Sequence, residues 1–432
     1  MRYAAINKQL FIQNRKRLLK ELKPASVAVI NANDIMPTNA DGTMPYRQNS
    51  DLFYLTGVDQ EESILVLCPD FPDKKYREVL FLKETNEHIA VWEGHKLTKA
   101  EARAQTGIET ILWLSEFPKI FNTMMVMGDT EHVYLNTNDH YRSETVVESR
   151  DLRFIKWCKE KYPLHKYERL APIMHLLRYI KSEAEIKLMQ QACDITEKAF
   201  RRVLKFVKPG VKEYEIEAEY IHEFVRNGSK GFAYTPIIAS GANSCVLHYI
   251  ENNKVCKAGD VLLLDVGAEY ANYNADLTRT IPVNGRFTKR QKEVYNAVLR
   301  VHDQAKKMLK PGVVYFDYQK EVEKIMEGEL LKLKLIDKTD IKNQKPEWPA
   351  VKKYFMHGTS HHLGLDVHDV GNMYHKMKAG MVFTVEPGIY IREEGLGVRI
   401  ENNVVINNKG VHDLMRNIPI KAEEIEDIMN SK

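Results

Sequence analysis

Four acidic residues interrupt segments that are otherwise apolar or punctuated by glycine, all between residues 261 and 402 of the 432-residue chain. Asp265 ends an apolar run, Glu386 ends another just before Pro-Gly, and Glu401 follows Gly-Val-Arg-Ile. Asp276 precedes a segment that alternates like a strand. Because an ionised carboxylate is costly to bury unless it is paired, protonated or metal-bound, four acids that share a pocket need cations between them. Two divalent ions and a bridging hydroxide would leave a net charge of about minus one, so the pattern predicts a two-metal hydrolytic site.

Length and composition exclude several other classes of protein. With 44% hydrophobic and 28% charged residues, the chain is ordinary globular material, long enough for two or more domains. The balance of 63 basic against 59 acidic side chains predicts no nucleic-acid partner. No apolar run approaches the roughly 20 residues that span a bilayer, so no membrane segment is expected. Five cysteines without a CxxC pair favour reduced thiols and a cytoplasmic location.

The first part of the chain has the pattern of an α/β domain. A helix is expected over residues 11–22, and apolar runs at 27–30, 64–68, 79–82 and 133–135 predict buried strands. The stretch 157–176 is basic and poorly periodic, which is typical of a boundary between domains. We therefore predict one domain over residues 1–170 and a second over residues 171–432.

The second domain shows signs of an internal repeat. Ser182 and Glu185 form a predicted capping box at the start of an amphipathic helix, which ends at a Lys-Pro-Gly-Val sequence. About a hundred residues later another helix ends at the same four residues, and an acid-rich helix follows both times. These cues predict an α+β fold with pseudo-two-fold duplication, although Lys-Pro-Gly is also a common helix stop.

Spacing supports the grouping of the candidate ligands. The segment between Asp265 and Asp276 has turn composition, so the two acids fit the arms of a hairpin. The run 357–369 holds four histidines, but its glycines argue against a helix, so one metal-bound histidine beside several substrate-side histidines is expected. Arg399 lies two residues from Glu401 on one predicted strand and can brace a ligand carboxylate; a surface ion pair is the alternative.

These segments together resemble a known family. The residues 47–57, 357–371 and 384–388 are similar to signatures of the metal-dependent "pita-bread" peptidases of the creatinase/aminopeptidase fold, most closely the aminopeptidase P branch. The resemblance spans nearly the whole chain. It implies a creatinase-like α/β N-terminal domain and an α+β pita-bread catalytic domain. His362 departs from the pattern, because many relatives carry an aromatic residue there.

The resemblance also implies a ligand set for two divalent metal ions. Asp265 would chelate one ion, while Asp276 and Glu401 would bridge both. His361 and Glu386 would complete the shell of the other ion. Oxygen-rich ligation with one imidazole suits Mn²⁺, which is also the usual metal of this branch.

Other roles follow from the same resemblance. His248, His357 and His368 would bind substrate and handle protons, with Arg399 beside them. Trp92 resembles an aromatic residue that some relatives place near a neighbouring subunit's active site; an ordinary surface or core tryptophan is the alternative. Relatives are commonly homodimers or homotetramers, so a homo-oligomer is expected.

The implied activity is release of an N-terminal residue from peptides with proline at the second position, by a metal-bridging hydroxide. Glu386 would accept the proton of the nucleophile, and His361 and His368 would lie near the developing oxyanion or the leaving nitrogen. The first alternative is a prolidase, which shares the ligands but cuts Xaa-Pro dipeptides. The second is a non-catalytic pita-bread binding module, against which the complete ligand set counts.

Overall fold

The computed structural model describes residues 2–127, 129–143 and 146–431. The chain divides into two compact units. The first unit is Ala4–Arg178, and the second is Tyr179–Lys432 together with Met1–Tyr3. The predicted boundary at residue 170 precedes the border of the units by one helix.

The first unit is built on a six-stranded mixed sheet of order β4-β3-β2-β1-β5-β6. The pairs β1–β2 and β2–β3 are antiparallel, and the other neighbours are parallel. Its strands are β1 (Ser26–Asn31), β2 (Ile64–Leu67), β3 (Glu78–Leu82), β4 (Thr110–Trp113), β5 (His132–Leu135) and β6 (Lys166–Arg169). Its helices are α1 (Gln9–Leu19), α2 (Ser50–Thr56), α3 (Glu87–Glu93), α4 (Lys99–Thr106), α5 (Phe117–Met127), α6 (Arg150–Lys161) and α7 (Ala171–Arg178).

The α/β pattern predicted for this part of the chain is confirmed. All four predicted strands lie within or next to β1, β2, β3 and β5, and their apolar side chains form a core of their own with residues of α5 and α6. The stretch 157–176 is more ordered than its weak periodicity indicated, because it contains the end of α6, all of β6 and most of α7. Because β6 is a four-residue edge strand and α7 has only eight residues, neither element produces a long periodic pattern in the sequence.

The described residues of the second unit form two three-stranded antiparallel sheets and two two-stranded antiparallel hairpins. Its helices are α8 (Glu183–Phe206), α9 (Glu213–Arg226), α10 (Lys289–Met308), α11 (Tyr315–Lys332), α12 (Lys338–Lys342) and α13 (Ala422–Asn430). Its strands are β7 (Ile237–Ser240), β8 (Val261–Val266), β9 (Glu269–Tyr270), β10 (Tyr273–Asn274), β11 (Leu277–Pro282), β12 (Val382–Val385), β13 (Gly388–Ile391), β14 (Leu396–Arg399), β15 (Asn402–Asn407) and β16 (Gly410–Asp413).

The order of elements in the second unit repeats. The packed pair α8 and α9 precedes a three-stranded sheet of order β11-β8-β7, and the packed pair α10 and α11 precedes one of order β12-β15-β16. The capping box at Ser182 is present, with the hydroxyl accepting from the Glu185 amide and the Glu185 carboxylate accepting from the Ser182 amide. Two helix pairs and two sheets in this order agree with the predicted duplication.

Within the described part of the chain, no helix combines the length and the apolar character that crossing a membrane requires.

Candidate metal centre and active site

Two of the candidate acids are brought together by one hairpin of the second unit. β8 pairs with β11 in antiparallel register, which sets Asp265 opposite Thr278, and Asp276 stands immediately before β11. The Tyr234 hydroxyl lies 2.6 Å from a carboxylate oxygen of each aspartate. The hairpin predicted from the turn composition is therefore present, and the two carboxylates point to the same place.

The backbone of Asp276 is held by a second pair of hydrogen bonds. The Asn403 side-chain amide donates to the Asp276 carbonyl at 2.6 Å, and its oxygen accepts from the Asp276 amide at 2.9 Å. Asn403 lies on β15, so this clamp fixes one half of the site against the other half.

The second half of the unit supplies the remaining ligand candidates. Asp276, His361 and Glu401 are all buried, and one possible ligand atom from each lies within 4.8 Å of the others. The His361 Nε2 is 3.4 Å from Asp276 Oδ2 and 3.5 Å from Glu386 Oε1. Glu386 follows β12 directly, as the Pro-Gly turn after it predicts. The run 357–369 contains no helix, which confirms the expectation drawn from its glycines.

The histidine is oriented to present a lone pair to this group. Its Nδ1 lies 2.9 Å from the His362 carbonyl oxygen, which can only accept a hydrogen bond. The proton of a neutral ring therefore sits on Nδ1, and Nε2 faces the carboxylates as a potential ligand.

The donor set fits divalent cations. The Glu401 Oε2 accepts from the Thr278 hydroxyl at 2.6 Å, whereas the buried Oε1 has no hydrogen-bond partner among the described residues. A buried carboxylate oxygen without a partner is rare in folded proteins and points to an ion. Carboxylate oxygens with one imidazole are ligands of hard and borderline divalent metals.

The same crowding changes the acidities of these groups. Burial raises the pKa of Glu386 to about 7, with the charges of Asp276 and Asp265 adding to the rise and His361 opposing it. Burial and the neighbouring acids raise the pKa of Glu401 well above its usual value. Burial alone would lower the pKa of His361, but Asp276 and Glu386 raise it above its ordinary value. The group as it stands holds more negative charge than it can keep ionised, which cations would relieve.

A buried arginine connects the carboxylates to the histidines. The Arg399 guanidinium donates to Asp265 at 2.5 Å and to the Tyr390 hydroxyl at 2.8 Å, and that hydroxyl lies 2.8 Å from His357 Nε2. Burial lowers the pKa of His357 to about 3, with Arg399 and His248 adding to the effect. His357 is therefore neutral at physiological pH.

Arg399 contacts a carboxylate as expected, but Glu401 does not share its strand. β14 ends at Arg399, and Glu401 lies in the short link before β15. The Glu401 amide donates to the Thr278 carbonyl on β11, so the chain leaves the β13–β14 hairpin there and turns toward the other sheet. Residues 398–401 alternate like one strand, and the Asn402-Asn403 pair that follows is the local mark of the break.

The other predicted site residues, His368, His248 and Trp92, are exposed. The rings of His368 and His361 pack edge to face with centroids 4.4 Å apart, and His368 is exposed on its outer side. His248 is exposed on the loop after β7, close enough to His357 to affect its pKa. Trp92 belongs to α3 of the first unit and is 79% exposed, so its assignment remains a prediction.

Three residues of this site were not found from the sequence: Tyr234, Tyr390 and Asn403. Tyrosine is ordinary in strand-like segments, and asparagine is ordinary near turns. Only their three-dimensional partners mark them, so no local signal could have identified them.

Two family models and several curated relatives match this chain. The profile of metallopeptidase family M24 matches residues 187–408, and that of the aminopeptidase P N-terminal domain matches residues 11–134. The chain is 35% identical to the Xaa-Pro aminopeptidase of Escherichia coli strain K12, over 98% of both chains. It belongs to the aminopeptidase P group of metallopeptidase family M24. The chain is accordingly a metal-dependent aminopeptidase, and the resemblance seen in its motifs is confirmed.

Solved structures of this group share the fold over the whole chain. The zinc-substituted aminopeptidase P of E. coli in complex with product is 34% identical, with a TM-score of 0.87 over 99% of both chains. The aminopeptidase PepP of Pseudomonas aeruginosa is 31% identical, with a TM-score of 0.88 over 99% of both chains. The predicted combination of an aminopeptidase P N-terminal domain and a pita-bread domain is thus confirmed.

Proposed function

We propose that this protein hydrolyses the bond between an N-terminal residue and a following proline, with two divalent metal ions as cofactors. The observation that carries the proposal is a cluster of four carboxyl groups, two of them buried, in which His361 Nε2 faces Asp276 and Glu386 while Glu401 Oε1 lacks a partner among the described residues. The names of the relatives support the choice of Xaa-Pro peptides as substrates.

The ligands of the two ions would be those implied by the motifs. Asp265 would hold one ion, Asp276 and Glu401 would serve both, and His361 with Glu386 would complete the other shell. When bound, the two ions would activate a water molecule for attack at physiological pH. The oxygen-rich ligand set favours Mn²⁺.

Side chains of the protein would then transfer protons and orient the substrate. Glu386, whose Oε1 lies 3.5 Å from His361 Nε2, would accept the proton of the nucleophile and pass it on. His357 is neutral and is held on both sides, by the Gly358 carbonyl at Nδ1 and the Tyr390 hydroxyl at Nε2, so it would line the substrate side of the site without adding charge. His368, whose ring packs edge to face against that of His361, would stabilise the oxyanion or protonate the leaving nitrogen. A proline nitrogen carries no N–H, so a site shaped for its ring does not need the donor that ordinary peptidases use.

The decisive experiment uses metal-stripped protein with Mn²⁺ added back. Release of the first residue is measured on an Xaa-Pro-Xaa tripeptide and, in parallel, on an Xaa-Pro dipeptide. Mn²⁺-dependent cleavage of the tripeptide is expected; cleavage of the dipeptide alone would identify a prolidase instead. Asp276→Ala is the matched negative control, because loss of a bridging ligand should weaken binding of both ions and abolish activity. No cleavage of either peptide by protein that binds two ions would favour a non-catalytic binding module.

The family resemblance and the cysteines support two further proposals, on assembly and on location. We propose a homodimer or homotetramer, which sedimentation equilibrium would test. A cytoplasmic location is supported by the five cysteines, all of which are buried free thiols.

A further inference from the structure

The loop that carries His248 connects β7 to β8 and is longer than a tight turn. It leaves β7 after Ser240, and its far end returns at Val255, which forms an isolated bridge with Lys212. His248 stands midway along this loop and is exposed. Interactions other than regular strand pairing must therefore hold this loop in place.

Both ends of the loop converge on one buried carboxylate, that of Glu213, the first residue of α9. Its Oε1 accepts from the amide and the hydroxyl of Ser240 at 2.8 and 2.7 Å. Its Oε2 accepts from the Tyr249 hydroxyl at 2.8 Å and from the Lys254 amide at 2.9 Å. One carboxylate oxygen thus holds the start of the loop, and the other holds its end and the residue after His248.

Tyr249 links this carboxylate to the site itself. Its ring is buried in an apolar cluster that also contains Tyr390, whose hydroxyl binds His357 and Arg399. The tyrosine next to His248 is therefore fixed at its hydroxyl by Glu213 and at its ring by the wall of the site.

A role in helix capping alone does not account for this arrangement. An acid in the first turn of α9 is stabilised by the helix dipole wherever it points. Fastening α9 to β7 needs only the two bonds to Ser240. The two bonds on Oε2 lead to the loop, and a fully buried carboxylate is costly unless all of these bonds form together.

We propose that Glu213, acting through Tyr249, is a positioning residue that fixes the loop after β7 so that His248 stands at the mouth of the site beside His357. This inference rests on the substrate-side role proposed above for His248. The Glu213 carboxylate bonds Ser240, Tyr249 and Lys254 rather than the proposed metal ligands. It would therefore act on the reaction by restricting the position of the His248 imidazole.

Two variants test the carboxylate clamp with little change in volume. Tyr249→Phe removes only the hydroxyl and leaves the ring in its cluster. Glu213→Gln is the severe variant, because each oxygen of Glu213 accepts from a backbone N–H and an amide nitrogen would face such a donor on either side. Tyr295→Phe is the matched control, since the hydroxyl of the buried Tyr295 also makes one hydrogen bond, part-buried, to the Ile420 carbonyl away from the loop.

With Mn²⁺-loaded protein and an Xaa-Pro-Xaa tripeptide, Tyr249→Phe should lower kcat/KM about fivefold and Glu213→Gln about 10- to 100-fold, as small misplacements of a reacting group do. Metal content should stay at the wild-type value in both. Hydrogen exchange should rise over residues 241–254. Tyr295→Phe should lower Tm by a similar amount to Tyr249→Phe while kcat/KM stays within twofold of wild type.

A double-mutant cycle separates positioning from general destabilisation. In a His248→Ala background, Tyr249→Phe should have no further effect on kcat/KM. If the two losses multiply instead, Tyr249 and Glu213 do not act through His248 and the positioning role is wrong. If His248→Ala leaves kcat/KM unchanged, the role proposed for His248 is itself wrong, and the positioning role falls with it.

Discussion

At the scale of single residues, the buried carboxyl groups of the site depend on cations that the protein supplies only in part. Arg399 faces Asp265, whereas Glu386 and Glu401 have raised pKa values because burial and their neighbours disfavour the charged form. Metal ions bind carboxylates rather than carboxylic acids, so protons held by these groups must leave when the ions arrive.

We therefore predict that Mn²⁺ binding releases protons near neutral pH. The pKa of Glu386 is raised to about 7, so in metal-free protein this group is protonated below pH 7 and ionised above it. Apparent metal affinity should rise with pH through about 7 as Glu386 loses its proton. Isothermal titration at pH 6.5 and pH 8, in buffers of different ionisation enthalpy, measures the protons released. Equal proton release at both values would contradict the assigned acidity.

A second prediction distinguishes the two histidines that pack against each other. His361 presents Nε2 to the carboxylates, whereas the exposed His368 packs its ring against that of His361. His368→Ala should lower kcat by about 10²-fold or more, as loss of a proton-handling group does, and should retain both ions. His361→Ala should lose metal. Metal analysis of both variants after dialysis is the measurement, and loss of metal from His368→Ala would reverse the assignment.

The candidate ligands could be predicted because each is a local anomaly in the sequence. Asp265 ends a run of buried strand residues, and Glu386 interrupts another, so burial without a cation is improbable on energetic grounds alone. Tyr234 and Asn403 carry no such anomaly. Their importance arises from contacts with Asp265 and Asp276 across long stretches of chain.

At the scale of secondary structure, apolar runs marked the predicted strands of the first unit, and a capping box at Ser182 marked the start of α8. α1 runs from Gln9 to Leu19 rather than over residues 11–22; its N-cap residue Lys8 makes no side-chain cap, and the Asn7 side chain accepts from the Gln9 amide instead. The link at Glu401 was missed because residues 398–401 alternate like one strand, and the break is marked locally by the Asn402-Asn403 pair that follows.

One ion pair fastens two of these elements and allows a stability prediction. Lys181, just before α8, donates at 2.8 Å to Asp369, which ends the histidine-rich run 357–369, and both side chains are 1% exposed. Lys181→Met removes the cation that faces a buried carboxylate, so the free energy of unfolding should fall by about 3–5 kcal/mol.

Urea denaturation of the second unit would measure this loss. The matched control is Lys324→Met, which breaks a pair with Glu321 of similar length in which the side chains are 70% and 55% exposed. An exposed pair contributes about 0–1 kcal/mol, so the control should change little. If the two variants lost equal free energy of unfolding, burial would not increase the contribution of the Lys181–Asp369 pair to stability.

At the scale of the whole molecule, the chain contains two units with separate cores. The first has its own six-stranded sheet and apolar core, and the residues of the candidate metal centre all belong to the second. The basic, poorly periodic stretch 157–176 was the signal from which a border at residue 170 was predicted. The exact border depends on which unit α7 packs against, and that is a matter of long-range contacts.

Those contacts assign α7 to the first unit. Arg178 donates to Asp51 at 2.8 Å with both side chains nearly buried, and the Leu177 carbonyl accepts from the Tyr54 hydroxyl at 3.0 Å. Because the first unit has a complete sheet, we predict that a fragment of residues 4–178 folds alone with a cooperative thermal transition.

A fragment of residues 4–170 lacks α7 and therefore leaves the buried Asp51 without the Arg178 cation. Loss of one partner of a buried pair costs about 3–5 kcal/mol, and the lost bond to Tyr54 adds to this, so the shorter fragment should unfold at a clearly lower temperature or fail to fold. Circular dichroism melts of the two fragments measure the difference. In the longer fragment, Arg178→Met should reproduce most of the loss, because it removes the cation and keeps the helix. Equal melting of the two fragments would mean that α7 adds nothing to the first unit, and the border would then lie at residue 170.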